Sequence, residues 1–358
     1  MAFGIGIAGA GSIAQVHAKG IVDAGGSVVG FCDVDLAKAS AAAATHGGMA
    51  WSSTDEMFAS EAVSAVVIAV PNVLHAQLAI AALEAGNDVL LEKPMAMNES
   101  ECAAVIDARD RSGRTLQVGF VCRFAATVAA AKRHIDAGRL GHIYQARAVM
   151  LRRRGIPGLG RWFTNRELSG GGVLIDLGPH LVDLVLDLCG RPQVERVSAS
   201  TSSHFGQPTT GYKFTDMWSG PPNLDGLFNV DDAATAMLRC AGGLTVTLET
   251  SWASHLPDGA IGDGVTLFGE KGAMHFDIWG DHILMGTQID DEIVDVKHPI
   301  PETEGWGTAF KREHECFRAH CAGEQIGPSG ESGLQVQQVL AALYRSADAG
   351  QEVPVRVS

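Results

Sequence analysis

The chain has 358 residues, 46% hydrophobic and 19% charged, so it carries ample material for buried cores and lacks the composition of a disordered segment. That length favours two domains over one. With 41 acidic and 27 basic residues the formal charge is −14, a field that repels phosphate backbones and anionic lipid, so no nucleic-acid or membrane partner is expected.

No uninterrupted apolar run reaches the length needed to cross a bilayer. The opening residues, Met1 to Gly11, are apolar without a basic leader region and read as a strand entering a turn rather than a signal peptide. The cysteines (Cys32, Cys102, Cys122, Cys189, Cys240, Cys316 and Cys321) are scattered and odd in number, which fits a reducing cytoplasm and no disulfide framework. His314, Cys316, His320 and Cys321 fall on one helical segment without a CxxC pair, so the segment reads as a packed or solvated helix and no metal is expected.

In chain order, Phe3–Ala8 is an apolar strand and Ser12–Ala24 a helix. Ser27–Cys32 is the next strand, followed by a helix from about Asp35 to His46. Ser53 and Glu56 are spaced as in a capping box that opens a short helix. Ala65–Val70 is a strand, His75–Ala85 a helix ended by Gly86, Asp88–Leu91 a strand, Asn98–Arg111 a helix and Thr115–Val118 a strand. Strands that are apolar throughout and alternate with helices imply a parallel sheet covered on both faces.

The pattern changes after residue 121. A helix at Ala125–Ala137 leads to strand-like runs at His142–Leu151, Gln193–Thr201, Asp231–Cys240, Leu244–Ala253, Gly264–Phe268 and Ala273–Ile278. Tight glycine turns join some of them, as antiparallel neighbours require. Helices at Thr308–Ala322 and Glu331–Ala349 close the chain. Residues 203–229, rich in Gly and Pro with Tyr212, Phe214 and Trp218 among them, are long for a connection and read as a surface excursion, a lid or a subunit contact. The expected organisation is α/β: a dinucleotide-binding domain over 1–121, and a C-terminal α+β domain over 122–358 with a mostly antiparallel open sheet. Too few helices remain to cover both faces of that sheet, so self-association through it, as a dimer or tetramer, is expected.

Gly9-Ala10-Gly11-Ser12-Ile13-Ala14 follows the first strand and opens the first helix as GxGxxA. Gly9 permits the tight turn, Gly11 lets backbone amides approach a pyrophosphate, and Ala14 allows close helix–strand packing. The helix N-terminus offers N–H groups and partial positive charge to phosphates. Asp33 ends the second strand, 22 residues after Gly11, where an acid binds the adenosine ribose hydroxyls and repels a 2′-phosphate. That favours NAD over NADP, although Lys38 lies nearby.

Two further segments point to chemistry. Glu92-Lys93-Pro94 places a lysine at the C-terminal end of a parallel strand, where ligands of such sheets bind. The X-Pro bond there can be cis. In Gly170-Gly171-Gly172-Val-Leu-Ile-Asp176-Leu-Gly-Pro-His180, the acid and the imidazole are four apart and share one face of a helix.

With these motifs on view, the chain resembles the Gfo/Idh/MocA family, named for glucose–fructose oxidoreductase, inositol dehydrogenase and a rhizopine-catabolism protein. The resemblance is carried by GAGSIA, Asp33, Ala69-Val-Pro71-Asn72-x-x-His75, Glu92-Lys93-Pro94 and the Gly172, Asp176, His180 run, with Glu249-Thr-Ser-Trp252 and Gly269-Glu-Lys-Gly272 behind them. It implies a Rossmann domain and an oxidoreductase acting on a sugar, cyclitol or related polyol with NAD. Lys93 would sit near the nicotinamide and the reacting hydroxyl, Asp176 would bind substrate or fix its partners, and His180 would transfer the proton. Val70, Asn72, His75, Glu92 and Lys93 would line the cofactor. Arg123 matches a position that often touches ligand in the family. Arg154 and Trp162, in the basic stretch from Arg152 to Phe163, are further substrate-contact candidates, or else part of a salt-bridged surface. The chemistry agrees: removing hydride from a carbinol carbon needs a base for the hydroxyl proton and a cation for the developing alkoxide. Two alternatives keep the fold: retained NAD with transient oxidation in glycoside cleavage, and a non-catalytic ligand-binding regulator. Intact Lys93, Asp176 and His180 speak against the second.

Overall fold

The computed structural model describes residues 3–206, 217–257, 263–300 and 305–356. Tyr212 and Phe214 of the long excursion lie outside these residues.

The first part of the chain forms β1 (Gly4–Ala8), α1 (Ser12–Asp23), β2 (Ser27–Cys32), α2 (Leu36–His46), β3 (Met49–Trp51), α3 (Thr54–Phe58), β4 (Ala65–Ile68), α4 (His75–Glu84), β5 (Asp88–Glu92), α5 (Glu99–Ser112) and β6 (Leu116–Gly119). There follow α6 (Ala126–Asp136), β7 (Ile143–Leu151), α7 (Arg166–Ser169), α8 (Val173–Asp176), α9 (Gly178–Leu188), β8 (Val194–Ser202), β9 (Ala233–Cys240), β10 (Thr245–Ser251), β11 (Gly264–Gly269), β12 (Gly272–Asp277), β13 (His282–Ile289) and β14 (Glu292–Pro299). The chain closes with α10 (Trp306–Cys321), α11 (Gly330–Ala349) and β15 (Val353–Pro354).

These elements make two compact units. The first comprises Met1–Val121, Leu168–Gly170 and Gly307–Gln337, and so includes nearly all of α10, which a division after residue 121 assigns to the second half. Its sheet has the order β3-β2-β1-β4-β5-β6 with every pair parallel. This is the Rossmann order, and the reversal between β1 and β4 is its ligand-binding switch point. β1 and β4 are buried at every position, because helices cover both faces and leave no solvent side for alternation. Ile5, Ile7, Ala14, Ala18, Ile21, Phe31, Leu90 and Phe317 of α10 share one core cluster. β3, only three residues long, goes unannounced in the sequence.

The second unit is built on a nine-stranded sheet of order β14-β13-β12-β11-β7-β10-β9-β8-β15. Every pair is antiparallel except β7 with β10. Burial alternates along β9, which is what a sheet with unlike faces produces. β13 and β14 extend the sheet beyond the runs expected from sequence. β14 is exposed at most positions, so it carries no apolar alternation to reveal it.

Helix ends near the Lys93 segment are closely tied. The Asn98 side chain accepts from the Glu101 amide at 3.0 Å, and Glu101 Oε2 accepts from the Met97 amide at 3.0 Å, while Gly113 ends α5 in the left-handed region at φ 65°. This reciprocal cap fixes where the chain leaving Lys93 enters α5. Asn98→Ala is expected to lower the unfolding free energy by about 1 kcal/mol, read as a lower urea midpoint at unchanged slope; an unchanged midpoint contradicts the cap's role.

Candidate active site

In the first unit, the turn after β1 is set by sterics. Gly9 has φ +101°, and a Cβ there would stand 2.2 Å from the Ala69 carbonyl oxygen, so no other residue fits between β1 and β4. Ala14 is fully buried in the core cluster, as close helix–strand packing requires. The space over Gly11 is open, with nothing within 4 Å of where a Cβ would stand, and Gly11 supplies no side-chain cap to α1. Ser12 is exposed and Ile13 half-buried at the head of the helix. An uncapped N-terminus beside open space fits a dinucleotide phosphate.

Asp33 stands at the same edge. Its Oδ2 accepts from the Ala10 amide at 3.0 Å and its Oδ1 from the Asp35 amide at 2.9 Å, so the carboxylate is fixed beside the glycine turn. Lys38 lies 3.8 Å from Asp35 and pairs with that acid.

The segment after β5 is held from two sides. The Glu92 carboxylate accepts from the Lys93 amide at 3.1 Å through Oε2. His75 Nδ1 lies 2.7 Å from the Pro94 carbonyl oxygen, and its Nε2 lies 3.0 Å from that of Val70. Burial drives His75 toward its neutral form, which has one N–H to give; the shorter contact makes Pro94 the acceptor. The Lys93–Pro94 peptide is cis. Asn72 is buried, and its Nδ2 donates to the Ser169 carbonyl at 2.7 Å. Val70, His75, Glu92 and Lys93 thus lie together at or beyond the ends of β4 and β5, and Asn72, on the turn after β4, is tied to Ser169.

In the second unit, the glycine run has no side chain to cap the helix it opens, and a distant acid does so. Asp231 Oδ1 accepts from the Gly172 amide at 2.9 Å, Oδ2 from the Leu174 amide at 2.9 Å, and the Asp231 carbonyl from the Val173 amide at 2.9 Å. Tyr344 adds a hydroxyl donor to Oδ1 at 2.8 Å. The helix expected to carry both Asp176 and His180 is divided into α8 and α9, because Pro179 lacks the N–H that would continue the ladder. Asp176 ends α8, 9% exposed, and its Oδ2 accepts from Trp252 Nε1 at 2.8 Å. His180 lies in the first turn of α9, half-buried.

The arginines are engaged within the unit. Arg123 donates to Asp183 at 2.6 Å and pairs with Asp187 at 2.9 Å, which explains the presence of the buried Asp183. Arg154 donates to the Ser254 carbonyl at 2.6 Å. Trp162 stacks on Phe163 with centroids 3.7 Å apart, and Trp218 meets Phe163 edge-on at 5.3 Å. Sequence reading missed Trp252, Asp231 and Ser169. Trp252 lay inside a quoted motif; the other two bond at sequence separations of 59 and 97, which no local pattern signals.

Comparison with known proteins covers both parts of the chain. Residues 3–120 match the model described as an oxidoreductase family with an NAD-binding Rossmann fold, and residues 128–275 match that of the GFO/IDH/MocA C-terminal domain. D-glucoside 3-dehydrogenase of Escherichia coli (strain K12) is 32% identical over 361 residues, covering 98% of this chain and 96% of that protein. Glucose-6-phosphate 3-dehydrogenase of Bacillus subtilis (strain 168) is 26% identical over 366 residues, with 98% of each covered. Levoglucosan dehydrogenase, solved in complex with NADH and levoglucosan, is similar in fold at a TM-score of 0.86 and 24% identity over the whole of both chains.

Asp231→Ala would leave the Leu174 amide and the Tyr344 hydroxyl without their acceptor, and the Gly172 amide with only its 3.3 Å contact to the Tyr344 hydroxyl oxygen. A loss of about 3 kcal/mol or more in unfolding free energy is expected, since each buried donor left unmet costs about 1–3 kcal/mol. Chemical denaturation measures it, and a loss below about 1 kcal/mol would rule out this cap as the organiser of α8.

Proposed function

The chain belongs to the Gfo/Idh/MocA family of NAD-binding oxidoreductases, and from that premise we propose that it oxidises a ring secondary hydroxyl of a sugar, the 3-hydroxyl of a glucopyranoside, to the ketone. The observation that carries this reading is the nearly end-to-end alignment with two relatives named as 3-dehydrogenases of glucosyl compounds. Gly9–Ala14 would hold the pyrophosphate and Asp33 the adenosine ribose, with Val70, Asn72, His75, Glu92 and Lys93 along the nicotinamide half. When bound, the dinucleotide accepts the hydride that leaves the carbinol carbon.

The chain's own groups handle the proton and the charge. His180 takes the hydroxyl proton as general base. The Lys93 ammonium stabilises the developing alkoxide. Asp176, oriented by the Trp252 indole N–H, binds substrate hydroxyls and restrains their direction. Arg154 and Trp162 are assigned to the substrate; Arg123, which is tied to Asp183 and Asp187, would contribute mainly by fixing α9.

Two measurements test this. Calorimetric titration is expected to show NAD(H) bound more tightly than NADP(H), on the order of tenfold, because the Asp33 carboxylate repels a 2′-phosphate. Asp33→Ser narrows the gap, and tighter NADP(H) binding by the wild type contradicts the assignment. On a glucoside substrate, Lys93→Ala or His180→Ala is expected to lower kcat by about 10²–10⁴ with little change in NAD affinity, and the double variant by less than the product of the two. The wild-type oxidation rate should rise with pH as His180 loses its proton. Near-wild-type turnover by His180→Ala removes it as the base.

A further inference from the structure

Helix α10 crosses α1 at Gly20, where a Cβ would stand 3.0 Å from both the Phe310 Cβ and the His314 ring. Beneath this crossing lie four buried titratable side chains. His17, Glu313 and His314 are 0% exposed and Glu92 7%. Only Glu92 has a place in the chemistry above.

Three of them are bonded in series. His17 Nε2 lies 2.8 Å from Glu92 Oε1, and His17 Nδ1 lies 3.1 Å from His314 Nε2. The other Glu92 oxygen accepts from the Lys93 amide. The Phe310 ring stands edge-to-face on His17, with centroids 4.9 Å apart, and closes one side. His75 of α4 also lies within the field of Glu92 and Lys93. On β6, Gln117 Nε2 donates to the Glu313 carbonyl at 3.3 Å.

Proton counting gives the series a direction. A carboxylate only accepts, so His17 Nε2 carries a proton. In a neutral ring His17 Nδ1 is then a lone pair, and His314 Nε2–H donates to it. His314 Nδ1 becomes a lone pair in turn, and that buried atom has no hydrogen-bond partner among the described residues. Burial, with His17 adjacent, pushes His314 well toward its neutral form. Neither carboxyl oxygen of Glu313 has a hydrogen-bond partner among the described residues, and burial close to Glu92 raises its pKa well above the usual carboxyl range. Burial and the absence of a donor among the described residues therefore both favour the protonated form of Glu313.

We propose that His17 and His314 are positioning residues: a one-way chain of two neutral imidazoles, running from His314 through His17 to Glu92, keeps Glu92 as the single anion of this buried cluster and through it fixes the backbone of Lys93. The proposal rests on Lys93 acting at the reacting hydroxyl. The geometry is that of an acid–imidazole couple with its charge pinned at one end, and it ties α1, whose N-terminus is the phosphate end, to the strand that presents the lysine. Displacement of a reacting group by about 1 Å costs about 10²-fold in rate, which sets the size of the effect.

The test joins spectroscopy to kinetics. In the ligand-free wild-type protein at pH 9, ¹⁵N-histidine NMR is expected to show the rings of His17 and His314 both protonated on Nε2. An imidazolium at either position, or the opposite tautomer, overturns the chain. His17→Ala is expected to lower kcat by about 10²-fold with the KM for NAD near the wild-type value, and His17→Gln, which keeps an N–H to offer Glu92, to recover part of that loss. Wild-type kcat in His17→Ala, or no difference between the Ala and Gln variants, overturns the positioning role. Glu313→Gln, the isostere of a protonated carboxyl, should change neither the unfolding midpoint nor kcat; a loss in either refutes the single-anion assignment. The NMR readout needs no substrate, so it separates this proposal from the assignment of Lys93, which fails on its own if Lys93→Ala turns over normally.

Discussion

The turn at Gly9 is the constraint from which the first unit follows. β1 and β4 lie side by side with no room for a Cβ between Gly9 and the Ala69 carbonyl, so the chain leaves β1 in a conformation open only to glycine. That exit aims the N-terminus of α1 at the switch point of the sheet, and Asp33 secures it through the Ala10 amide. One helix then does two things. Its first turn borders the open space over Gly11 proposed for the phosphates, and its buried His17 reaches Glu92 beside Lys93.

The second unit solves a comparable problem by other means. A run of glycines allows the chain to turn sharply into α8 but cannot cap it. Asp231 supplies the missing acceptors from the loop before β9, and Trp252, just past β10, directs its indole N–H at Asp176. The acid proposed for the substrate is thereby held by Trp252 directly and by Asp231 through the cap of α8, both from segments that flank strands of the sheet. Arg123 shows the opposite case: a residue expected at the ligand is drawn into the Asp183 and Asp187 carboxylates, where its charge offsets two half-buried or buried acids.

Much of this was legible in the sequence because buried parallel strands declare themselves. β1, β4 and β5 are short apolar runs between helices, and GAGSIA read together with its flanking strand, helix and Asp33 points to the edge proposed for the dinucleotide. The capping pair of Ser53 with Glu56 marked a helix start for the same local reason. What escaped is non-local or weakly patterned. β3 is too short for periodicity, and β14 is too exposed. The packing of α10 in the first unit depends on Phe317 and His314 finding partners some 300 positions earlier, such as the His17 contact at a separation of 297. The split between α8 and α9 was visible as Pro179 yet outweighed in reading by the i, i+4 spacing of Asp176 and His180.

The central claim is that a sugar carbinol hydrogen passes to bound NAD while the chain's own groups manage the proton. Incubating the enzyme with NAD and a glucoside deuterated at the 3-carbon tests it most directly, with mass spectrometry of the reduced cofactor as the readout. One deuterium in the nicotinamide of each NADH formed, with a ketone in the sugar, is the expected result. Sugar conversion with no deuterium in the cofactor, or no conversion of any glucoside tried alongside tight NAD binding, would contradict it.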